Sequence, residues 1–186
     1  MVASPKAKCY KARRSLCAAS MASITEDAFR RAMRCRADTV HLVTYRSAEG
    51  HVEGMSATAV TALSVAPPSL IFCVGHTSRA RDAIRREGSF GVSILASHEA
   101  ELAATAGRTG SDKILAPELL VAPRPELTPV LKRALANLQC KVVDDREIYT
   151  HTVFVGEVVE ASVNAEGDPL LHYLGAFATI SRAPRP

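Results

Sequence analysis

The pattern of apolar and polar positions along the chain predicts a protein built mainly from β-strands. Runs of apolar and β-branched residues, several of them with alternating polarity, recur between short turn sequences, which is typical of strands joined by hairpins. In the turn at residues 47–50, a glycine tolerates the positive φ that a hairpin needs. Strands are predicted over residues 39–45, 51–60, 69–74, 90–95, 135–143, 152–163 and 169–174.

Breaks between these runs are predicted from proline, glycine and acidic residues. The pair Pro67-Pro68 has no N–H groups for a strand ladder, so strand pairing is expected to end there. Residues 144–147 are predicted to be a turn between the two longest strands, with Asp144 and Asp145 as solvated residues rather than a catalytic pair. Residues 108–129 contain five prolines or glycines and are predicted to form a long loop, which is usually functional or mobile.

Three helices are predicted around the strands. Ser23 and Glu26 have the spacing of a capping box, which predicts a helix to about residue 36. Ser78 is a predicted N-cap for a helix that ends at Gly88, and a third helix is expected over residues 97–107. Because hairpin connections dominate, the fold class is predicted to be mainly β: an antiparallel β-barrel with peripheral helices.

The segment of residues 54–68 is rich in small hydroxyl side chains. Such residues let a ligand approach the backbone closely and offer hydroxyl donors beside backbone N–H groups. An apolar strand follows, and then the turn that contains Ser78 and Arg79. These features predict a cradle for an anionic cofactor, with Arg79 as a candidate phosphate partner.

The uneven distribution of charge along the chain argues against nucleic-acid binding. The formal net charge is +4, but residues 1–20 contain five basic residues and no acid, so the remainder carries −1. A nucleic-acid-binding domain needs its basic patch on the fold itself. No apolar run is long enough to cross a bilayer, so no membrane association is predicted.

Five scattered cysteines form no C-x-x-C pair, so neither a metal site nor a disulfide framework is predicted. Free thiols are typical of a reducing compartment, and a cytoplasmic location is the corresponding prediction.

The two ends of the chain are predicted to lie outside the domain at residues 23–180. Residues 1–22 are basic and contain no acid, which is compatible with a targeting segment or with a disordered upstream extension that precedes a natural start at Met21. Residues 181–186, with two prolines, are predicted to be a frayed tail.

Several segments, in order, resemble the flavin reductase-like, FMN-binding split-barrel family, whose members include small NAD(P)H:flavin oxidoreductases that serve two-component monooxygenases. The resemblance covers residues 29–177 and rests on an opening helix, a hydroxyl-rich strand, a cofactor turn, a Phe-Gly-Val strand and a late histidine strand. These correspond to residues 29–33, 54–68, 77–79, 90–95 and 151–158.

The resemblance implies a site that binds FMN or FAD as cofactor, with NADH or NADPH as electron donor. His151 would lie near the nicotinamide as the catalytic residue. The remaining residues implied in cofactor binding are Ser56, Ala57, Thr58, Ala59, Val60, Thr61, Cys73, Val74, Gly75, Ser78, Arg79, Ala80, Phe90, Val92, Ser93 and Tyr173.

The implied activity is reduction of a flavin by a nicotinamide, with the protein supplying orientation and electrostatics. A homodimer and a flavin-dependent monooxygenase are the implied partners. The chain departs from the family pattern at residues 37–40, 149–151 and 173–177. The last two segments lie where the nicotinamide is expected, so a flavin-dependent oxidoreductase that acts on another small molecule stays open as the alternative.

Overall fold

The computed structural model describes residues 23–164 and 167–180. The predicted basic extension at residues 1–22 and the predicted tail at residues 181–186 lie outside the described residues. Within these ranges the α-helices are α1 (Glu26–Arg34), α2 (Arg79–Glu87) and α3 (Ala100–Gly107), and two short 3₁₀ turns lie at Ser97–Glu99 and Pro117–Leu119. No helix in the described ranges has the length and apolar character needed to span a membrane.

Twelve strands lie within the described ranges. Their bounds are β1 Asp38–Thr39, β2 His41–Arg46, β3 Val52–Ala57, β4 Val60–Val65, β5 Pro68–Gly75, β6 Ser89–Ile94, β7 Leu120–Val121, β8 Val130–Leu131, β9 Ala136–Ile148, β10 His151–Val163, β11 Leu171–Tyr173 and β12 Ala176–Ala178.

Seven of these strands form one antiparallel sheet in the order β3-β2-β6-β9-β10-β5-β4. Strands β3 and β4 lie at opposite edges of this sheet although only Thr58 and Ala59 separate them in sequence. The Cys73 N–H donates to the Ala59 carbonyl at 3.1 Å. The sheet therefore curls until its two edges approach each other, and the predicted antiparallel barrel with peripheral helices is confirmed.

The barrel interior is an aromatic and aliphatic core. The ring centroid of Phe72 lies 4.8 Å from that of Phe90 and 5.2 Å from that of Phe154, and all three side chains are fully buried. Helix α2 contributes Ala80, Ala83 and Ile84 to this cluster. A second apolar cluster includes buried residues of β2 and α3. These clusters hold α2 and α3 against the sheet, since burial of apolar surface is the main stabilising term.

Helix α2 is the element that the sequence predicted most closely. The Ser78 hydroxyl accepts from the Ala80 N–H at 3.3 Å, and Gly88 ends the helix with a φ of 65°. Both ends follow local rules for helix caps, in which a hydroxyl satisfies an early N–H group and glycine adopts the left-handed conformation.

Four predictions of local structure need correction. The double proline lies at the turn of the β4–β5 hairpin and Pro68 pairs with Val65, because an edge position and a strand start tolerate proline. Thr25 caps α1 instead of Ser23, accepting from the Ala28 N–H at 3.2 Å. The predicted strand at residues 51–60 breaks after Ala57. The segment 108–129 includes β7, which pairs with β8.

The largest correction concerns residues 144–147. They continue β9, and the connecting turn lies at Tyr149 and Thr150. Their acidic side chains indicated a turn. In the structure, Asp145 and Glu147 lie on an extended strand and form ion pairs with Arg85 of α2, which is far away in the sequence. The described chain also has β12 next to β11, which was not predicted.

Candidate functional site

A polar cleft of about 510 Å³ opens at the N-terminus of α2. It lies where the last residues of β5 lead into the helix. The residues that line this polar cleft are Tyr45, Glu53, Thr77, Ser78, Arg79, Thr109, Gly110, Ser111, Asp112, Lys113 and Ile114. A helix N-terminus has a partial positive charge, so this position favours an anion.

Two cationic side chains reach the polar cleft. The Arg79 guanidinium lies 3.5 Å from the Glu53 carboxylate, while its side chain is 71% exposed. Lys113 is partly buried, and this burial lowers the pKa of its ammonium group, with a further lowering from Arg79. Together with the start of α2, these cations form a donor set that fits a phosphate group.

Glu53 and Asp112 are acidic residues that line the polar cleft, and Glu53 is buried. Its carboxylate accepts a hydrogen bond from the Tyr45 hydroxyl at 2.8 Å. Burial raises the pKa of Tyr45, and the Glu53 hydrogen bond raises it further, so the phenol stays protonated. Glu53 therefore holds Arg79 at the mouth of the cleft.

Lys113 was not among the predicted site residues. Its carbonyl accepts from the Gly54 N–H at 2.9 Å, and the Leu115 N–H donates to the Val52 carbonyl at 2.8 Å. These bonds fix the segment alongside β3. Only the unusual length of the loop at residues 108–129 indicated a function for this region, and no local signal points to one lysine within it.

A second cleft of about 720 Å³ lies beside β4, and we call it the barrel cleft. Apolar residues and hydroxyl groups alternate along it. Of the predicted cofactor-binding residues, four line it: Thr58, Val60, Thr61 and Val92. Its other lining residues include His41, Ser64, Ser69, Leu70 and Leu138. Such a lining suits a flat ring system with polar edges.

His41 lines the barrel cleft and was not among the predicted site residues. It is buried, and this burial lowers the pKa of its imidazole. Its Nδ1 atom makes no hydrogen bond within the described chain. No motif marks this histidine, so only its placement in the barrel reveals it.

The pleat of the sheet divides the predicted residues between two faces. Directly paired residues on neighbouring antiparallel strands point to the same face. His151 pairs with Gly75, Val153 with Cys73, and Thr61 with Ile71 on the outer face. Val60 pairs with Phe72 on the inner face. The structure therefore brings Thr61, Cys73, Gly75 and His151 to one face and points Val60 and Val74 inward.

Several predicted contacts are occupied by the fold itself. The Ser56 hydroxyl donates to the Ala103 carbonyl at 2.5 Å. The Ser93 hydroxyl donates to Asn137 Oδ1 at 2.7 Å and accepts from the Leu131 N–H at 3.2 Å.

Other predicted residues are fully or nearly fully buried in the core: Val74, Ala80 and Phe90. Ala57 is half-buried and packs against the core, and the carbonyl of Ala59 accepts from Cys73. The predicted side-chain contacts of Ser56, Val74, Phe90 and Ser93 are therefore not carried into the proposed site.

His151 opens β10 and remains exposed. Its Nδ1 lies 2.9 Å from the Thr150 hydroxyl, and the position of a side chain on Gly75 would be 3.9 Å from its Nε2. The glycine opposite thus leaves one side of the imidazole open. Tyr173 lies on β11 in a separate three-stranded sheet and lines neither cleft.

The antiparallel barrel thus has a cationic cleft at the start of α2 and a second cleft beside β4. Residues 33–181 match the family model described as a flavin reductase like domain. The chain therefore belongs to this family, which confirms the resemblance seen in the sequence.

Relatives of known assignment agree with this placement. The chain is 40% identical to the reductase component of 4-nitrophenol 4-monooxygenase/4-nitrocatechol 2-monooxygenase from Rhodococcus opacus. The aligned 129 residues cover 69% of this chain and 68% of that protein. It is 32% identical over 168 residues to FMN reductase (NADH) RutF 1 from Methylorubrum extorquens strain PA1, covering 90% and 82% of the two chains.

Solved structures show the same architecture. A flavin reductase domain protein from Arthrobacter sp. FB24 has a TM-score of 0.77 and 28% identity, over 87% of this chain and 99% of that one. A homologue of nitrilotriacetate monooxygenase component B from Mycobacterium thermoresistibile has a TM-score of 0.75 and 29% identity, over 87% and 91%. The predicted split-barrel fold is confirmed.

Proposed function

We propose that the chain is an NADH-dependent flavin reductase that takes FMN as its flavin. The observation that carries this proposal is the pair of cations, Arg79 and Lys113, at the N-terminus of α2 in a chain of this family. The similarity to one relative, FMN reductase (NADH), supports the choice of flavin and of nicotinamide. Once bound, the flavin supplies the chemistry by accepting hydride from the nicotinamide.

The chain's own residues bind and orient the reactants in this proposal. Arg79 and Lys113 hold the phosphate in the polar cleft, aided by the positive end of α2. Thr58 and Thr61 offer hydroxyl groups along the barrel cleft. Cys73 and Gly75 continue the outer face from Thr61 toward His151. The exposed imidazole of His151 orients the nicotinamide or moves a proton at its open nitrogen.

The reductase activity is tested by mixing the purified chain with FMN and NADH and following the loss of NADH absorbance. Turnover that requires added flavin is expected. FAD and NADPH are assayed in the same way, so that all four pairs are compared. Absence of turnover with every pair, while flavin still binds, would reject the reductase and favour an oxidoreductase acting on another small molecule.

His151→Ala belongs in the same assay. We expect a loss of about 10²- to 10⁴-fold in kcat/KM, since a positioned acid–base group contributes on this scale. The dissociation constant of FMN is expected to change by less than about twofold, because loss of His151 leaves the polar cleft intact. His98→Ala is the matched control, as that histidine lies on the Ser97–Glu99 turn. Kinetics equal to the control would remove His151 from the mechanism.

We propose a homodimer because several large apolar side chains are exposed on the strands. Leu63 is 53% exposed, Val65 91% and Val163 75%. Apolar surface of this kind on a small protein marks an interaction site. Sedimentation is expected to give twice the mass of one chain, and Val65→Asp is expected to shift the protein toward monomer. A wild-type chain that sediments as a monomer at micromolar concentration would contradict the dimer.

We further propose that the chain supplies reduced flavin to a partner monooxygenase in the cytoplasm. The support for the partner is the similarity to a relative that is a monooxygenase reductase component. Cys73 and Cys140 are free cysteines of the described chain and are compatible with a reducing compartment.

A further inference from the structure

Strand β9 extends beyond its neighbour β6, while β10 pairs with β5 as far as His151 and Gly75. Strand β6 pairs with β9 only as far as Lys141, whose partner is Ser89. Beyond Val142, whose N–H donates to the Gly88 carbonyl at 2.9 Å, the only strand that pairs with β9 in the described chain is β10. We call residues 144–151 the hairpin tip; it includes the turn at Tyr149 and ends at His151.

Arg85 of α2 holds one side of this hairpin tip. Its Nε donates to Asp145 Oδ1 at 3.0 Å, and its Nη1 donates to Glu147 Oε1 at 2.9 Å. Asp145 and Glu147 are two residues apart on β9, so both point to the face that Arg85 approaches. The hydrogen bonds raise the pKa of Arg85, and the same guanidinium lowers the pKa of Glu147.

A backbone bond holds the end of the tip. The His76 N–H donates to the Thr150 carbonyl at 3.0 Å. His76 belongs to the turn between β5 and α2, one residue after the Gly75 that faces His151. The tip is therefore held on its β9 side by Arg85, and on its β10 side by the pairing with β5 and by the His76 bond.

We propose that Arg85 is a positioning residue that holds the hairpin tip, and with it His151, in register with the anion-binding start of α2. This inference rests on the proposed function of the polar cleft and of His151. Arg79 and Arg85 lie on one short helix, separated by six residues or about 9 Å along its axis. A single helix thus links the group that holds the phosphate to β9, and β9 pairs with β10, the strand that bears the histidine.

The contribution of these ion pairs to global stability is expected to be small. The side chains of Arg85 and Asp145 are 31% and 28% exposed, and partly exposed ion pairs are screened by solvent. Loss of the ion pairs is expected to matter more for the position of His151, because small displacements of a reacting partner lower rates strongly. A test of this role therefore has to separate local anchoring of the hairpin tip from the stability of the whole fold.

The local test is hydrogen exchange of the His76 amide in full-length protein without ligands. Arg85→Gln is expected to speed exchange at this amide by about tenfold, since the bond to Thr150 opens when the tip is released. Arg86→Gln is the matched control: Arg86 lies on the same helix but bonds to the Arg46 carbonyl, away from the hairpin. Equal exchange in the two variants overturns the proposal, whether or not the protein proves to be a reductase.

The functional test is steady-state kinetics with NADH and FMN. Arg85→Gln is expected to raise KM for NADH by about three- to tenfold, with the dissociation constant of FMN changed by less than about twofold. The charge-swapped pair Arg85→Glu with Asp145→Arg is expected to restore KM to within about twofold of wild type. An unchanged KM in Arg85→Gln, or a swap that restores nothing, overturns the positioning role. Lack of turnover in the wild-type chain would instead reject the proposed function.

Discussion

Replacing Arg79 by alanine is expected to weaken FMN binding by about 10- to 50-fold while riboflavin binding changes by less than about twofold, since the two flavins differ only in the phosphate. The guanidinium lies at the start of α2 and lines the polar cleft. Hydrogen bonds from a cation to a phosphate are among the stronger polar contacts. Titration of each flavin into the protein, followed by flavin fluorescence, measures both dissociation constants.

The structure shows why Arg79→Ala needs its own controls. Removal of Arg79 also takes the ion pair from the buried Glu53 carboxylate. An unpaired buried carboxylate destabilises the cleft by itself, so Glu53→Gln is combined with Arg79→Ala to separate the two effects. Lys113→Ala is expected to change FMN binding in the same direction as Arg79→Ala. Equal loss of FMN and riboflavin in Arg79→Ala would mean that Arg79 does not bind the phosphate.

Local signals in the sequence predicted the part of the site at the start of α2. Ser78 and Gly88 cap the helix through rules that involve only neighbouring residues. The hairpin tip depends instead on Arg85, which pairs with residues sixty positions later. No local rule distinguishes an acidic turn from an acidic strand whose side chains find a distant arginine, so residues 144–147 could not be assigned correctly.

Similar reasoning applies to the predicted flavin contacts. They were carried over as consecutive positions, but alternate residues of a strand point to opposite faces. Thr61 and Cys73 lie on the outer face, whereas Val74 points into the core. Ser56 could not be recognised as a structural residue, because its acceptor is a carbonyl of α3. Lys113 could not be found either, since it reaches the cleft through a long loop.

Gly156→Ala is expected to destabilise the fold by about 2–4 kcal/mol, because the added methyl group overpacks a full core. A Cβ at this position would lie 2.9 Å from Phe90 Cε1 and 3.1 Å from Cys140 Cβ. Phe90 has little room to move, since it is fully buried and packs on Phe72. Thermal unfolding is expected to show a midpoint lower by about 5–15 °C.

Gly107→Ala is the matched control, because its Cβ would lie 3.7 Å from the nearest atom, an ordinary contact. Adding Phe90→Leu to Gly156→Ala is expected to recover at least about 1 kcal/mol, since the two residues are in contact and couple. If the thermal unfolding midpoint of Gly156→Ala is no lower than that of Gly107→Ala, the Phe90 ring is not packed tightly against β10 at Gly156. This ring would then be free to turn toward a flavin, as the family resemblance implied. The coupling energy therefore decides whether Phe90 belongs to the core or to the site.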